Sequence, residues 1–173
     1  RPHAEKLQDL FSKSYVAHDN LVDATRFLIH QLFGRYGLVI VDGDDPRLKQ
    51  EFAPYIQREC QEQLIQKGSE STVKKLKLAL QTKMKVQVNP RDINLFYMGE
   101  SGRHRLEKTA KGYGVVNTEH SFSNKELLNE IQSHPERFSP NALFRPIYQE
   151  VILPNLVVVG GGSELAYCLQ LSE

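Results

Sequence analysis

Three groups of residues in this chain have the types and spacing to do chemistry. In Val41-Asp42-Gly43-Asp44-Asp45-Pro46, three carboxylates fall in four positions, enough to hold a metal, a substrate amine or ribose hydroxyls. Asp45 also reads as the cap of a helix that Pro46 opens, and Asp44 gains from the positive end of that helix. No histidine or paired carboxylate stands at ligand spacing, so no metal is predicted. The second group is Val159-Gly160-Gly161-Gly162-Ser163-Glu164. Glycines between a strand and a helix let backbone N–H groups approach an anion. The stretch is not the dinucleotide fingerprint, because Leu165 stands where the third glycine belongs, and it lacks the Gly-Lys-Ser/Thr end of a Walker loop. Glu164 would repel a phosphate but suits an ammonium or a ribose diol. A tight turn capped by Ser163 is the plain alternative. The third group is a set of arginines beside polar partners: Arg91 with Asn94, Arg103 with Arg105, and Arg145 within Ser139 to Pro146. Guanidinium forks take carboxylates bidentately, and a buried ion pair is the alternative reading.

Other chemistries find less support. The histidines (His3, His18, His30, His104, His120 and His134) are scattered, with no H-x-H or H-E-x-x-H spacing. Cys60 and Cys168 form no CxxC pair and read as free thiols of a reducing cytoplasm rather than nucleophiles. A formal net charge of +1 over 173 residues gives no global case for nucleic-acid binding. No apolar run reaches the roughly 18 residues a membrane helix needs, and no signal peptide is visible. The basic run at Lys74, Lys75 and Lys77 reads as a solvated helix face.

The elements that must position these groups follow from periodicity. Residues 4–33 read as helix in two pieces, the second capped by Asp19 and ended by Gly34 and Gly37. Leu38–Val41 and Leu156–Val159 are short continuous apolar runs rich in β-branched residues, the pattern of parallel strands buried on both faces. Their parallel pairing in one sheet, with each other or with strands between them, is expected. A helix from Pro46 should kink or restart at Pro54 and stop at Gly68, with a further helix over 71–83. Short strands are expected at 86–88, 94–98, 103–107 and 112–116, a small β-rich insertion spanning about 84–118. Ser123-Asn124-Lys125-Glu126 fits a capping box. Ser139-Pro140 should open a helix that Pro146 interrupts and Pro154 closes. The sum is one α/β domain over 1–173 with a three-layer core.

In their order along the chain these stretches resemble a family. Gly37 through Lys49 looks like its strand followed by D-x-D-D-P-x-L-K. Asn94-Leu95-Phe96 and Arg103-His104-Arg105-Leu106 look like its N-L-F and R-x-R-L elements. Phe138-Ser139-Pro140-Asn141, Arg145-Pro146, Gln149-Glu150, Leu153-Pro154 and Gly161 through Tyr167 look like its most distinctive stretch. The family is BshC, the cysteine-adding enzyme of bacillithiol biosynthesis. The resemblance implies a Rossmann-like core of the class I synthetase type, and this chain as an internal fragment of a longer, cytoplasmic protein. It implies a ligase that adds cysteine to glucosaminyl malate, with ATP as driver by analogy and a homodimer built through a coiled coil. Asp42, Asn94, Arg103, Arg105, Asn141, Arg145, Gln149, Gly161, Gly162 and Glu164 are the binding candidates it leaves; the catalytic residue stays unassigned. A non-catalytic nucleotide- or anion-binding module and a structural interaction domain are the readings from other classes.

Overall fold

The computed structural model describes residues 2–80, 86 and 88–171. The chain forms two compact units, residues 1–43 and 44–173. In the first, helix α1 (Pro2–Val16) packs against α2 (Leu21–Phe33). Asn20, not Asp19, caps α2: its side chain accepts from the Asp23 backbone N–H at 2.9 Å. Ala24 and Leu28 turn inward. A single 3-10 turn, Gly34–Tyr36, ends at Gly37 with φ +83°, a left-handed position that favours glycine.

The second unit begins as its sequence signals: the Asp45 side chain accepts from the Arg47 N–H, and Pro46 sits in the first turn of α3 (Pro46–Glu62). Pro54 removes one backbone donor but does not break α3, because Phe52, Ala53, Ile56 and Cys60 are buried along one face. The helix stops at Gln63, whose φ of 55° is left-handed. Gly68 is not a terminator: α4 runs from Leu64 to Leu80. The ~1 kcal/mol that a mid-helix glycine costs is overridden by packing of α4 on the 3-10 turn Leu169–Leu171. Residues 81–83 of the expected helix, and Gln87 in the expected strand at 86–88, lie outside the described residues. Val88 instead meets the Gln170 side chain through its backbone N–H and carbonyl.

The sheet is antiparallel, in the order β4-β3-β2-β1-β5. Its strands are β1 (Leu95–Gly99), β2 (Gly102–Thr109), β3 (Gly112–Val115), β4 (Ser121–Phe122) and β5 (Phe138–Pro140). Strand structure thus continues past residue 118. Ser139-Pro140 is an edge strand, where a missing N–H is tolerated, and not a helix start. Pro146 accordingly lies in the first turn of α6 (Arg145–Ile152) and opens it. The capping box forms as read: Ser123 and Glu126 exchange hydrogen bonds at the head of α5 (Asn124–Ser133). Gly112 has φ +148°, and a Cβ there would lie 2.2 Å from the Phe122 carbonyl oxygen, so only glycine fits.

One sheet face is the core. Leu95, Tyr97, Leu106, Tyr113, Val115 and Phe138 are buried with Ile56 and Cys60 of α3 and Leu127 and Ile131 of α5. Their alternation is the period-2 pattern of a sheet covered on that side.

The two buried parallel strands expected at Leu38–Val41 and Leu156–Val159 are not found. Neither run is a strand, and no parallel pair occurs among the described residues. The physical reason is the lack of neighbours: Val39 is 80% exposed, Leu156 97% and Val159 95%. A run needing cover on both faces cannot hold strand structure without strands beside it.

Candidate functional site

On the other sheet face the side chains are Phe96 and Met98 from β1 and Arg103 and Arg105 from β2, set by the register Phe96↔Arg105 and Met98↔Arg103. The Arg103 guanidinium carbon lies 3.6 Å from the centroid of the Phe96 ring, a cation–π stack that holds the fork flat against the sheet. Arg103 donates to the Pro140 carbonyl at 3.2 Å and lies 3.5 Å from the Ser139 hydroxyl. Both acceptors are neutral. Arg105 donates to Glu107 at 3.3 Å. Phe96, Arg103 and Arg105 line a groove of about 570 Å³ together with Arg91 and Asn141. Among the described residues, neither Arg91 nor Arg103 forms a salt bridge with a carboxylate. The groove therefore carries cationic forks with unspent donors, the arrangement that takes an anion, above all a planar carboxylate.

A buried polar hub fixes the groove wall. Asn94 is fully buried. Its amide nitrogen donates to Glu59 Oε1 at 2.9 Å and to the Arg91 carbonyl at 2.7 Å. Its oxygen accepts from the Arg91 N–H at 3.2 Å and from Asn141 at 2.8 Å. Those four bonds exhaust the side chain, so Asn94 positions the arginine loop and has nothing left for a ligand. Asn141 in turn accepts from the Leu143 and Phe144 N–H groups, closing the turn into α6. Glu59, itself fully buried, also accepts from the Asn94 and Ile65 backbone N–H groups. Burial pushes its carboxyl above the usual glutamate range, and these hydrogen bonds only partly oppose that.

Apart from Asp42, the remaining candidates gather at a second place. Arg145, at the head of α6, donates to Glu164 of α7 (Gly162–Cys168) and to the Tyr167 hydroxyl at 2.7 Å, and reaches Gln149 at 3.4 Å. Arg145 and Glu164 thus satisfy each other. Glu164 folds back over the glycine turn, where a Cβ on Gly160 would lie 3.2 Å from its Oε2. Gly161, not Ser163, is the cap residue of this seven-residue helix, and a Cβ on Gly161 or Gly162 would meet nothing within 4 Å. Asp42 belongs to the first unit, half-buried. Asp44 pairs with Lys49 at 2.7 Å, and Lys49 is buried and also donates to the Glu136 carbonyl. Both acidic neighbours of Pro46 in the second unit are therefore used structurally.

Sequence reasoning missed Glu59, although a signal existed: it lies on the stripe of Phe52, Ile56 and Cys60, where an ionisable residue needs partners. It also missed a cavity of about 630 Å³ lined by Tyr97, His104, His120 and Arg137. There Glu130 takes both the Tyr97 hydroxyl at 2.9 Å and Arg137 at 2.7 Å. These charges are compensated internally, as Arg105 is by Glu107, whereas Arg91 and Arg103 of the groove pair with no carboxylate among the described residues.

A family model described as bacillithiol biosynthesis BshC, N-terminal Rossmann-like domain, matches residues 1–173. The chain belongs to the BshC family. A relative from Flavobacterium johnsoniae, named "Putative cysteine ligase BshC", is 49% identical over 171 residues, 99% of this chain and 31% of the relative. Proteins with the same name from Christiangramia forsetii and Shouchella clausii are 48% and 34% identical, over 99% and 86% of this chain. The chain thus spans about a third of the length of the BshC relatives it matches. The α/β class and the Rossmann-like assignment stand with the family. Among the described residues no helix is long and apolar enough to cross a membrane.

Proposed function

We propose that the BshC protein to which this domain belongs is a cytoplasmic, homodimeric ligase joining the carboxylate of cysteine to the amine of glucosaminyl malate. The arginine groove holds the carboxylates of the malate group. One observation carries this reading: Arg103 lies on Phe96 with its donors turned to neutral acceptors, beside Arg105 and Arg91 in one groove. A dicarboxylate brings the two charges such a groove lacks. The Glu59–Asn94–Asn141 hub supplies the rigidity, so that the acceptor is bound without reordering the wall.

Amide formation from a free carboxylate and an amine does not proceed unaided at neutral pH, and ATP is the proposed driver on that chemistry alone. The glycine turn fits it poorly: the Glu164 carboxylate lies against Gly160, where a phosphate would be repelled. None of the residues described is therefore assigned to the nucleotide. The test is to incubate the full-length protein with cysteine, glucosaminyl malate and ATP and follow the thiol product by mass. Formation of the amide only when all three are present supports the reading; no product from the folded full-length protein ends it.

A further inference from the structure

The arginine groove does not end at Arg105. Arg91, Ile93 and Arg105 also line an adjoining recess of about 360 Å³, to which Asp92 and Glu107 bring two carboxylates. Glu107 is taken up by Arg105 at 3.3 Å. Asp92 is exposed and makes no hydrogen bond or salt bridge among the described residues. Lys108 borders the recess too, but by the alternation of β2 its side chain belongs with Leu106 on the opposite face, beside Cys60 and Tyr113. Asp92 is nonetheless held in place. It lies in the turn over 91–94, which the Asn94 side chain closes by accepting from the Arg91 N–H at 3.2 Å and donating to the Arg91 carbonyl at 2.7 Å. Ile93, the next residue, is buried, and Glu59 fixes Asn94. The carboxylate therefore stands on a backbone set before any ligand arrives.

We propose that Asp92 takes the amine of the acceptor, so that the groove selects an amino sugar over a plain one. The inference rests on the reading of the groove as the acceptor site and assigns its second half. In a glucosaminyl group the amine stands on the carbon next to the one that bears the malate. The acceptor thus carries carboxylates and an ammonium side by side, the complement of a groove whose arginines adjoin an unspent carboxylate. Glu107 is already spent on Arg105, which leaves Asp92 to meet the ammonium. A hydroxyl in place of the amine offers Asp92 only a neutral donor, the weaker partner for a carboxylate.

The experiment is calorimetric titration of the full-length protein with two probes, glucosaminyl malate and glucosyl malate, in which a hydroxyl replaces the amine. The wild type, Asp92→Asn and Arg103→Gln are compared. The wild type should bind the amino probe about fivefold more tightly, the upper value for an exposed ion pair. Asp92→Asn should abolish that preference by weakening the amino probe alone, while Arg103→Gln weakens both probes alike. Equal affinities in the wild type, a preference that survives Asp92→Asn, or an equal loss of both probes in that variant overturns the proposal and leaves the groove reading standing. Affinities for both probes that stay at the wild-type values in Arg103→Gln end the groove reading instead, and this inference with it.

Discussion

Replacing Asn94 by alanine tests the hub on which the groove depends. The substitution deletes four hydrogen bonds, to Glu59, to both backbone groups of Arg91 and to Asn141. The bond to Glu59 is charge-assisted, worth ~1.5–3 kcal/mol, and the others contribute ~1 kcal/mol each where they are buried. Arg91 is exposed, so water replaces part of that share, and the net loss is about 3–4 kcal/mol. For a chain of this size that lowers the melting temperature by ~6–16 °C at 2–4 °C per kcal/mol. The pH dependence carries a sign. Burial raises the folded Glu59 pKa above its ordinary 4.5. Its favourable contribution is therefore complete below that value and is lost as pH rises through the folded pKa. Removing a donor raises the folded value further, so Asn94→Ala should destabilise more at pH 7.5 than at pH 4. Thermal melts by circular dichroism at the two pH values decide it. A loss under 1 kcal/mol, or one equal at both, refutes the hub as the anchor of the groove.

Other outcomes follow from single residues. Gly112→Ala should cost about 2 kcal/mol or more, since it meets both a positive φ and the Phe122 carbonyl; urea unfolding measures it, and a neutral result contradicts the local geometry. Arg145→Lys keeps the charge but cannot span Glu164 and Tyr167 together. It should lower stability by only about 1 kcal/mol, because the pair is half-exposed, while limited proteolysis between residues 153 and 161 speeds up; an unchanged cleavage rate counts against the brace. Cys60 is buried and its thiol pushed well up by that burial, so iodoacetamide at pH 8 should leave it unlabelled until the chain unfolds. Rapid labelling in the native state would show the helix packing to be wrong.

Local chemistry was the legible part of this chain. Asp45-Pro46 and Ser123–Glu126 announce helix starts because the signals act over one turn. Strands β1 to β3 were readable from alternation and glycine turns. What misled was context. Pro54 and Gly68 look like stops but sit in helices held by buried faces. Leu38–Val41 and Leu156–Val159 have strand composition, yet a strand also needs a neighbour, which composition does not supply. In the site, the arginines of β2 were found from their type. Asn94 was also named, but as a ligand residue, since sequence cannot show that Glu59, 35 positions away, and Asn141 use up its amide. For Arg145 and Glu164 the sequence leaves both a substrate contact and an ion pair open, and the fold joins the two side chains.

The central claim is that the groove holds acceptor carboxylates, and the KM for glucosaminyl malate in the Arg103→Gln variant of the full-length protein tests it most directly. Loss of a charge-assisted carboxylate contact of about 1.5–3 kcal/mol corresponds to a ~10–140-fold rise in that KM. The KM for cysteine and the melting temperature should stay at the wild-type values. An unchanged KM for glucosaminyl malate in a folded variant, or an equal rise for cysteine, would contradict the account.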